Sequence, residues 1–422
     1  MDDEKKRKEA AWREELRRDE EEQLGVETEE EAGEPARTRA DHEAQCPKLL
    51  RSSDILGRVA EALRATATFA GTTLVVQLLV LAFFSRHLAR PVSVAVRGES
   101  SVGKSYAIER AMEFVSPKGT HVLTSMSQLA LAYSDEEFVH RVIILYEADA
   151  LADKRSASLV RSLLSEGRLV HEYTDFDGGR HSVKIEKEGP TNLITSAAGR
   201  IDYELGTRLL SVNVDDGPET TKAILEVLAR AAEGEASEPD FSEFHALDRL
   251  IASGECRVVI PFARVVAAAC DASATRMRRD FQAVLGLVQT HALLHQTQRE
   301  RDDEGRIVAS ARDYAAVYGL IADVLACSSG QAIPAQIRET VEAVDHLQHA
   351  GLPGEPVKLA EIAAHLGVHR TTVSRRISGA IKLELLQDVE TRSGHARLIK
   401  LGEPLPEDRG VLPSPADLDL GS

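Results

Sequence analysis

The chain has 422 residues, with 51 Lys and Arg against 68 Asp and Glu and a formal net charge of −17. It is long enough for two or three domains with a sizeable core, and too acidic overall to coat nucleic acid by bulk charge. Four scattered cysteines (Cys46, Cys256, Cys270 and Cys327) form no C-x-x-C pair, which argues against a disulfide framework or zinc finger and for a reducing, cytoplasmic setting.

Residues 1–50 are densely charged, with 17 acids and 9 bases in the first 45, and are expected to stay out of any core as a disordered segment. From about 53 to 90 the pattern is helical. The apolar run Phe69–Phe84 falls just short of a membrane span and carries Gln77 at its centre. It reads as a buried helix, so no membrane association is expected. Next come a short buried strand over 91–97 that runs into a glycine-bearing turn, a helix over 106–114, a strand over 142–145 and a helix over 156–166. Alternating stretches at 169–173 and 181–186 flank Asp177, Gly178 and Gly179 and predict a hairpin. Strands over 192–196 and 209–214 complete the block. Strands alternating with helices predict an α/β fold with a mainly parallel sheet covered on both faces. This core is assigned to 51–232, followed by a helical lid over 241–349, a basic module over 356–402 and an acidic tail over 403–422. The basic module has 8 bases against 4 acids, and the tail 5 acids and one base.

Residues 98–105 read GESSVGKS, a full match to G-x-x-x-x-G-K-[ST]. Gly98 and Gly103 allow a tight loop through Glu99, Ser100, Ser101 and Val102 whose N–H groups face a phosphate, and the following helix presents its positive dipole end. Lys104 supplies an ammonium between β- and γ-phosphates, and the Ser105 hydroxyl is a ligand for Mg²⁺. The match follows a predicted strand and opens a predicted helix, so ATP with Mg²⁺ is the expected cofactor pair. The second strand runs on as VIILYEADAL over 142–151. Glu147 ends it in the position of a water-activating base and Asp149 is the nearest further acid for the metal. Tyr146 stands where an Asp normally holds Mg²⁺.

In these features the stretch 91–291 resembles the ATPase module of AAA+ proteins, and most of all the minichromosome-maintenance helicase branch. Leu145–Leu151 (LYEADAL) aligns on that branch's IDEFDKM pattern and keeps Glu147 and Asp149. Residues 205–211 (LGTRLLS) resemble its LLSRFDL pattern, which implies Arg208 as an arginine finger acting on the neighbouring subunit's nucleotide. The resemblance further implies a polar sensor at Thr195 or Ser196, a lid arginine at Arg278 or Arg279 within RMRRD (276–280), and a ring, expected to be a hexamer.

In the C-terminal module, helices over 359–366 and 369–378 joined at Gly367 have the layout of a helix-turn-helix, with Ile362, Ala363, Leu366, Val368, Val373 and Ile377 packing between them. His369, Arg370, Thr371, Thr372, Ser374, Arg375 and Arg376 are expected on the outer face, and Arg392 and Arg397 on a two-stranded wing, as DNA contacts. This part resembles a winged helix. The expected function is thus a DNA-acting ATPase, helicase-like, in replication of a chromosome or mobile element. The alternatives are an ATP-gated transcription regulator and a low-turnover assembly platform. His291 and His295, four apart on one helix, are read as structural because no third ligand lies near them in sequence.

Overall fold

The computed structural model describes residues 38–66, 69, 73–98, 103–175, 180–197, 201–214, 217–234, 239–270, 277–328, 335–350, 355–390, 397–405 and 411–419. Four helices lead in: α1 (Arg39–Gln45), α2 (Pro47–Arg51), α3 (Ile55–Ala65) and α4 (Thr73–Phe84). The sheet block runs β1 (Val94–Arg97), α5 (Lys104–Met112), β2 (Thr120–Leu123), α6 (Ala130–Tyr133), β3 (Val142–Leu145), α7 (Lys154–Glu166), β4 (Arg168–Asp175), β5 (His181–Glu188), β6 (Asn192–Ala197), α8 (Tyr203–Gly206) and β7 (Leu210–Asn213).

β2, β3, β6, β1 and β7 form one parallel sheet in that order, with β1 between β6 and β7. The short strands carry apolar side chains on both faces, as a sheet sandwiched between helices requires. Val94, Val96, Val142, Ile144 and Ile194 face the larger core under α4 and α5, while Ala95, Ile143, Leu145 and Leu193 face a second core with Val160 and Leu163 of α7. β2 has no counterpart in the sequence reading. It is a half-exposed edge strand without an apolar run, so it carries no periodic signal. The expected hairpin is present as β4 and β5, paired antiparallel from Arg168–Glu188 to Asp175–His181. Asp153 caps α7 by accepting from Arg155 and Ser156 N–H, and Gly167 at φ +69° turns the chain directly into β4.

α4 is buried over nearly its whole length. The amide of Gln77 donates to the Leu56 carbonyl at 2.7 Å, which satisfies the one polar side chain that the apolar run carries into the core. Among the described residues, no helix is long and apolar enough to cross a membrane.

The second half begins with α9 (Pro218–Ala232), α10 (Ser242–Ala252), β8 (Val258–Val259), α11 (Ala263–Ala269), α12 (Met277–Leu294), β9 (Ile307–Val308) and α13 (Ala311–Ser328). α10, α12 and α13 share the larger core with α4. A separate core joins α14 (Ala335–Ala350), β10 (Val357–Lys358), α15 (Leu359–Leu366), α16 (Arg370–Lys382), β11 (Leu386–Asp388) and β12 (Leu398–Leu401), with the strands antiparallel in the order β10, β12, β11.

Three expected boundaries move. Cys46 and Leu49, inside the segment 1–50 expected to stay out of any core, are buried at 0% and 1% exposure against the main core. Helix α14, placed with the lid by the boundary at 349, packs Val341 and Val344 against Ile362 and Ile377 of the C-terminal module. The segment 403–422 is more than an acidic tail. Val411 and Leu412 are 2% exposed in the main core, and the Tyr314 hydroxyl donates to the Pro413 carbonyl at 2.7 Å. In each case a few apolar residues inside a charged context decide the outcome, and composition averages them away.

Candidate functional site

The carboxyl end of the sheet holds the glycine-loop motif. Gly98 follows β1, and Gly103 sits at φ +90° as the N-cap of α5, a left-handed position where, among the described residues beyond its chain neighbours, no atom lies within 4 Å of where a Cβ would stand. Glu99, Ser100, Ser101 and Val102 lie outside the described residues. Lys104 is 8% exposed and its Nζ donates to the Gly98 carbonyl at 3.1 Å, so the ammonium lies back across the loop. Ser105 is exposed in the first turn of α5. An uncapped nine-residue helix start, an open left-handed glycine and an inward ammonium form a donor set that suits a phosphate anion.

Register places the acids beside this loop. Leu145 of β3 pairs with Thr195 of β6, and Ala197 of β6 pairs with Arg97 of β1. Glu147, two residues beyond Leu145, therefore lies about two strand spacings, roughly 10 Å, from the loop's first residue. Glu147 and Asp149 are both exposed, Asp149 within the short turn Ala148–Ala152. Ser105 and Asp149 offer oxygen donors of the kind Mg²⁺ takes, and Glu147 a carboxylate free to act as a base. Tyr146 is half-buried against the main core, and burial, then the charge of Glu109, pushes its phenol pKa up. It stays neutral where an acid is expected.

Of the two expected sensors, Thr195 is fully buried and its hydroxyl donates to the Leu145 carbonyl at 2.6 Å, which fastens β6 to β3. It cannot touch a water above the sheet. Ser196 stands one residue nearer the strand end, and its hydroxyl donates to the Tyr146 carbonyl.

The arginines gather at the opposite, amino end. Arg208 lies just before β7, half-buried, with Nε donating to Ser165 Oγ at 2.6 Å and Nη1 to the Glu204 carbonyl at 2.8 Å. Arg279, in the first turn of α12, donates to the Thr207 hydroxyl, so the two guanidinium groups are neighbours. Burial first, then the positive charges of Arg279 and Arg161, holds the Arg208 pKa below its ordinary value. Both line a 280 Å³ hollow with Arg90, Ser165 and Asp280. The four residues of β7 span about 13 Å, so neither arginine reaches its own chain's glycine loop. Arg279, one of the two expected lid arginines, thus stands beside Arg208. Arg278 is exposed.

In the C-terminal module, His369 caps α16, and Arg370, Thr371 and Arg375 are exposed along it while Thr372 and Ser374 are half-buried. Arg376 departs from the expected outer face: its Nη1 donates to Glu339 of α14 at 2.8 Å. Arg397 is likewise held inside the module, by Asp388 at 2.6 Å and by Ser378 at 3.0 Å. Both reach carboxylates far off in sequence or across the sheet, partners that helical periodicity does not reveal. Arg392 lies outside the described residues.

His291 and His295 do find a third potential ligand, Asp313. Their atoms are already engaged, however. His295 Nδ1 donates to the His291 carbonyl at 2.9 Å, its Nε2 accepts from Ile55 N–H at 3.3 Å, and Arg299 makes two hydrogen bonds to Asp313. A satisfied buried network accounts for the cluster without a metal. A second such network escaped the sequence reading. Asp248, 0% exposed, accepts from Arg86 Nη2 at 2.6 Å, from the Ser116 hydroxyl at 2.6 Å and from His87 at 3.0 Å. Asp248 lies 132 to 162 residues from these partners, so no local pattern could have announced the network. No family model matches the chain, and no curated protein matches it in sequence.

Proposed function

We propose that the protein is an ATP-binding and ATP-hydrolysing P-loop ATPase of the AAA+ class, assembling head to tail into a ring and acting on DNA. One observation carries this reading: the glycine loop and the Arg208–Arg279 pair occupy opposite ends of one parallel sheet. A heterologous, ring-closing contact brings the amino end of one subunit against the carboxyl end of the next, and completes a site that each chain lacks alone.

In that site the loop N–H groups and Lys104 cradle the phosphates, and Ser105 with Asp149 would hold Mg²⁺, which would supply positive charge against the phosphate oxygens. Glu147 accepts the proton of the attacking water as the terminal phosphoryl group leaves ADP. Arg208 and Arg279 of the adjoining subunit stabilise the charge of the transition state. The C-terminal module, read as a winged helix, presents Arg370, Thr371 and Arg375 to the DNA backbone and bases. Tyr146 favours a second reading, a low-turnover platform in which nucleotide drives assembly.

Mixing Lys104→Ala chains with Arg208→Ala chains, each inactive alone, tests the shared site. Recovery of ATP hydrolysis on mixing is expected, and no recovery removes the trans assignment. Turnover that neither single- nor double-stranded DNA raises removes the DNA-acting motor. Tight binding of one duplex sequence without stimulated turnover favours a regulator.

A further inference from the structure

A cleft of 1360 Å³ opens at the amino end of the sheet, beside the segments that lead into β2, β3 and β6. Among the described residues, Arg86, Arg90, Lys118, Arg141, Arg249 and Arg257 line it, against a single carboxylate, Glu255. In a chain of net charge −17 this is a local reversal of sign. Arg86, Arg141 and Arg257 have carboxylate partners in Asp248, Glu136 and Glu255. Among the described residues, Arg90 and Arg249 have none within ion-pair distance. Arg249 Nε is buried without a hydrogen-bond partner, and its Nη2 meets only Gln45, at 3.4 Å.

The cleft wall is rigid. Asp248 ties Arg86 to Ser116, and Gly119 lies so close that a Cβ there would stand 2.6 Å from the Arg86 guanidinium. Arg86 is thus fixed and neutralised by Asp248, which leaves Arg90 and Arg249 as the cleft's guanidinium groups with no carboxylate partner among the described residues.

The chain itself supplies the complement. Gly254 lines the cleft, and the guanidinium of Arg39, the first residue of α1, lies over it. The segment preceding α1 therefore joins the fold at the cleft's rim. Between Asp19 and Glu34 that segment carries nine acidic residues and no Lys or Arg. Glu34 stands five positions before Arg39, an extended reach of up to about 17 Å.

We propose that the acidic segment 19–34 docks in this basic cleft of its own chain, as a tethered polyanion that any other polyanion must displace. A short tether gives the segment an effective concentration of about millimolar, so modest intrinsic affinity suffices for occupancy. The attraction is between partly exposed charges and weakens with salt.

Lys118 is the one lysine of the cleft among the described residues, which makes zero-length carbodiimide cross-linking of the full chain a direct test. At low salt, mass spectrometry is expected to find Lys118 joined to carboxylates of 19–34. In a mixture of isotopically light and heavy chains the links are expected within single chains only. Raising NaCl to about 0.5 M, where the Debye length falls below about 5 Å, is expected to remove most of the product. Arg90→Glu with Arg249→Glu is expected to do the same at low salt. Should that variant fail to fold by circular dichroism, the salt series on the unaltered chain decides alone. Links to exposed Lys154 as abundant as those to Lys118, or insensitivity to salt, overturn the proposal. Links only between light and heavy chains overturn it too, in favour of a second copy.

Discussion

The two ends of the five-stranded sheet are built in different ways. At the carboxyl end, Gly98, Gly103, Lys104 and Ser105 come from one eight-residue stretch, and Glu147 and Asp149 from another just past β3. At the amino end, Arg279 meets Thr207 across 72 residues and Arg86 meets Asp248 across 162. Parallel strands explain the difference. Each strand delivers its following loop to the carboxyl end, so a local motif arrives there intact. The amino end receives the ends of crossovers and of remote helices, and its constellations exist only after folding.

Substitutions at the two ends break or sharpen this contrast. Lys104→Ala is expected to have the largest effect, weakening ATP binding at least about a hundredfold and taking turnover to background. A fluorescent nucleotide titration checks this, and unchanged binding removes the carboxyl end as the nucleotide site. Arg208→Ala is expected to leave binding within about threefold while lowering turnover by about 10²–10³. If binding falls as steeply as turnover, the two ends are not functionally distinct.

Asp248→Asn is expected to cost about 3 kcal/mol, because it leaves Arg86 buried at 3% exposure without its counter-charge. The urea midpoint measures this loss, and ATP affinity is expected to stay within about twofold if the amino end serves stability and assembly rather than nucleotide binding. The wild-type Asp248 carboxyl is held far below the usual carboxylate range by the Arg86 guanidinium and by hydrogen bonds from His87 and Ser116, which outweigh its burial. Its contribution is present above the unfolded pKa and is lost as pH falls through the folded value.

The smallest effect is a pH limb. Burial, then the neighbouring His291, pushes the His295 pKa down to about 4. The folded state therefore binds fewer protons than the unfolded state between about pH 6.5 and 4, and stability declines as pH falls through that window. The expected loss is on the order of 2 kcal/mol. Urea midpoints collected from pH 7 to 4.5 report it, and His295→Gln is expected to flatten that part of the curve. A slope retained in this variant assigns the limb elsewhere.

Much of the fold follows from periodicity. The strands at 142–145 and 192–196, the hairpin over 169–186, and the helix pair around Gly367 all carry strong local patterns, and each is present within a residue or two at most ends. The edge strand β2 carries none. Arg376 shows why a correct helix still misassigns a side chain: its place on α16 was legible, but its partner Glu339 lies on a helix whose packing the sequence left open. The same holds for Arg279, whose helix start was clear and whose neighbour Arg208 was not.

By itself the sequence determined the alternation of strands and helices, the loop from Gly98 to Ser105 and the acids after β3, because hydrophobic periodicity and backbone conformational preference act over a few residues. Only the tertiary structure decided that the arginine pair lies a sheet's length from that loop, that Cys46, Leu49, Val411 and Leu412 belong to the main core, and that six cations converge in an acidic chain. Those outcomes rest on burial and charge pairing between residues tens to hundreds of positions apart, and such interactions have no energy until the chain has brought their partners together.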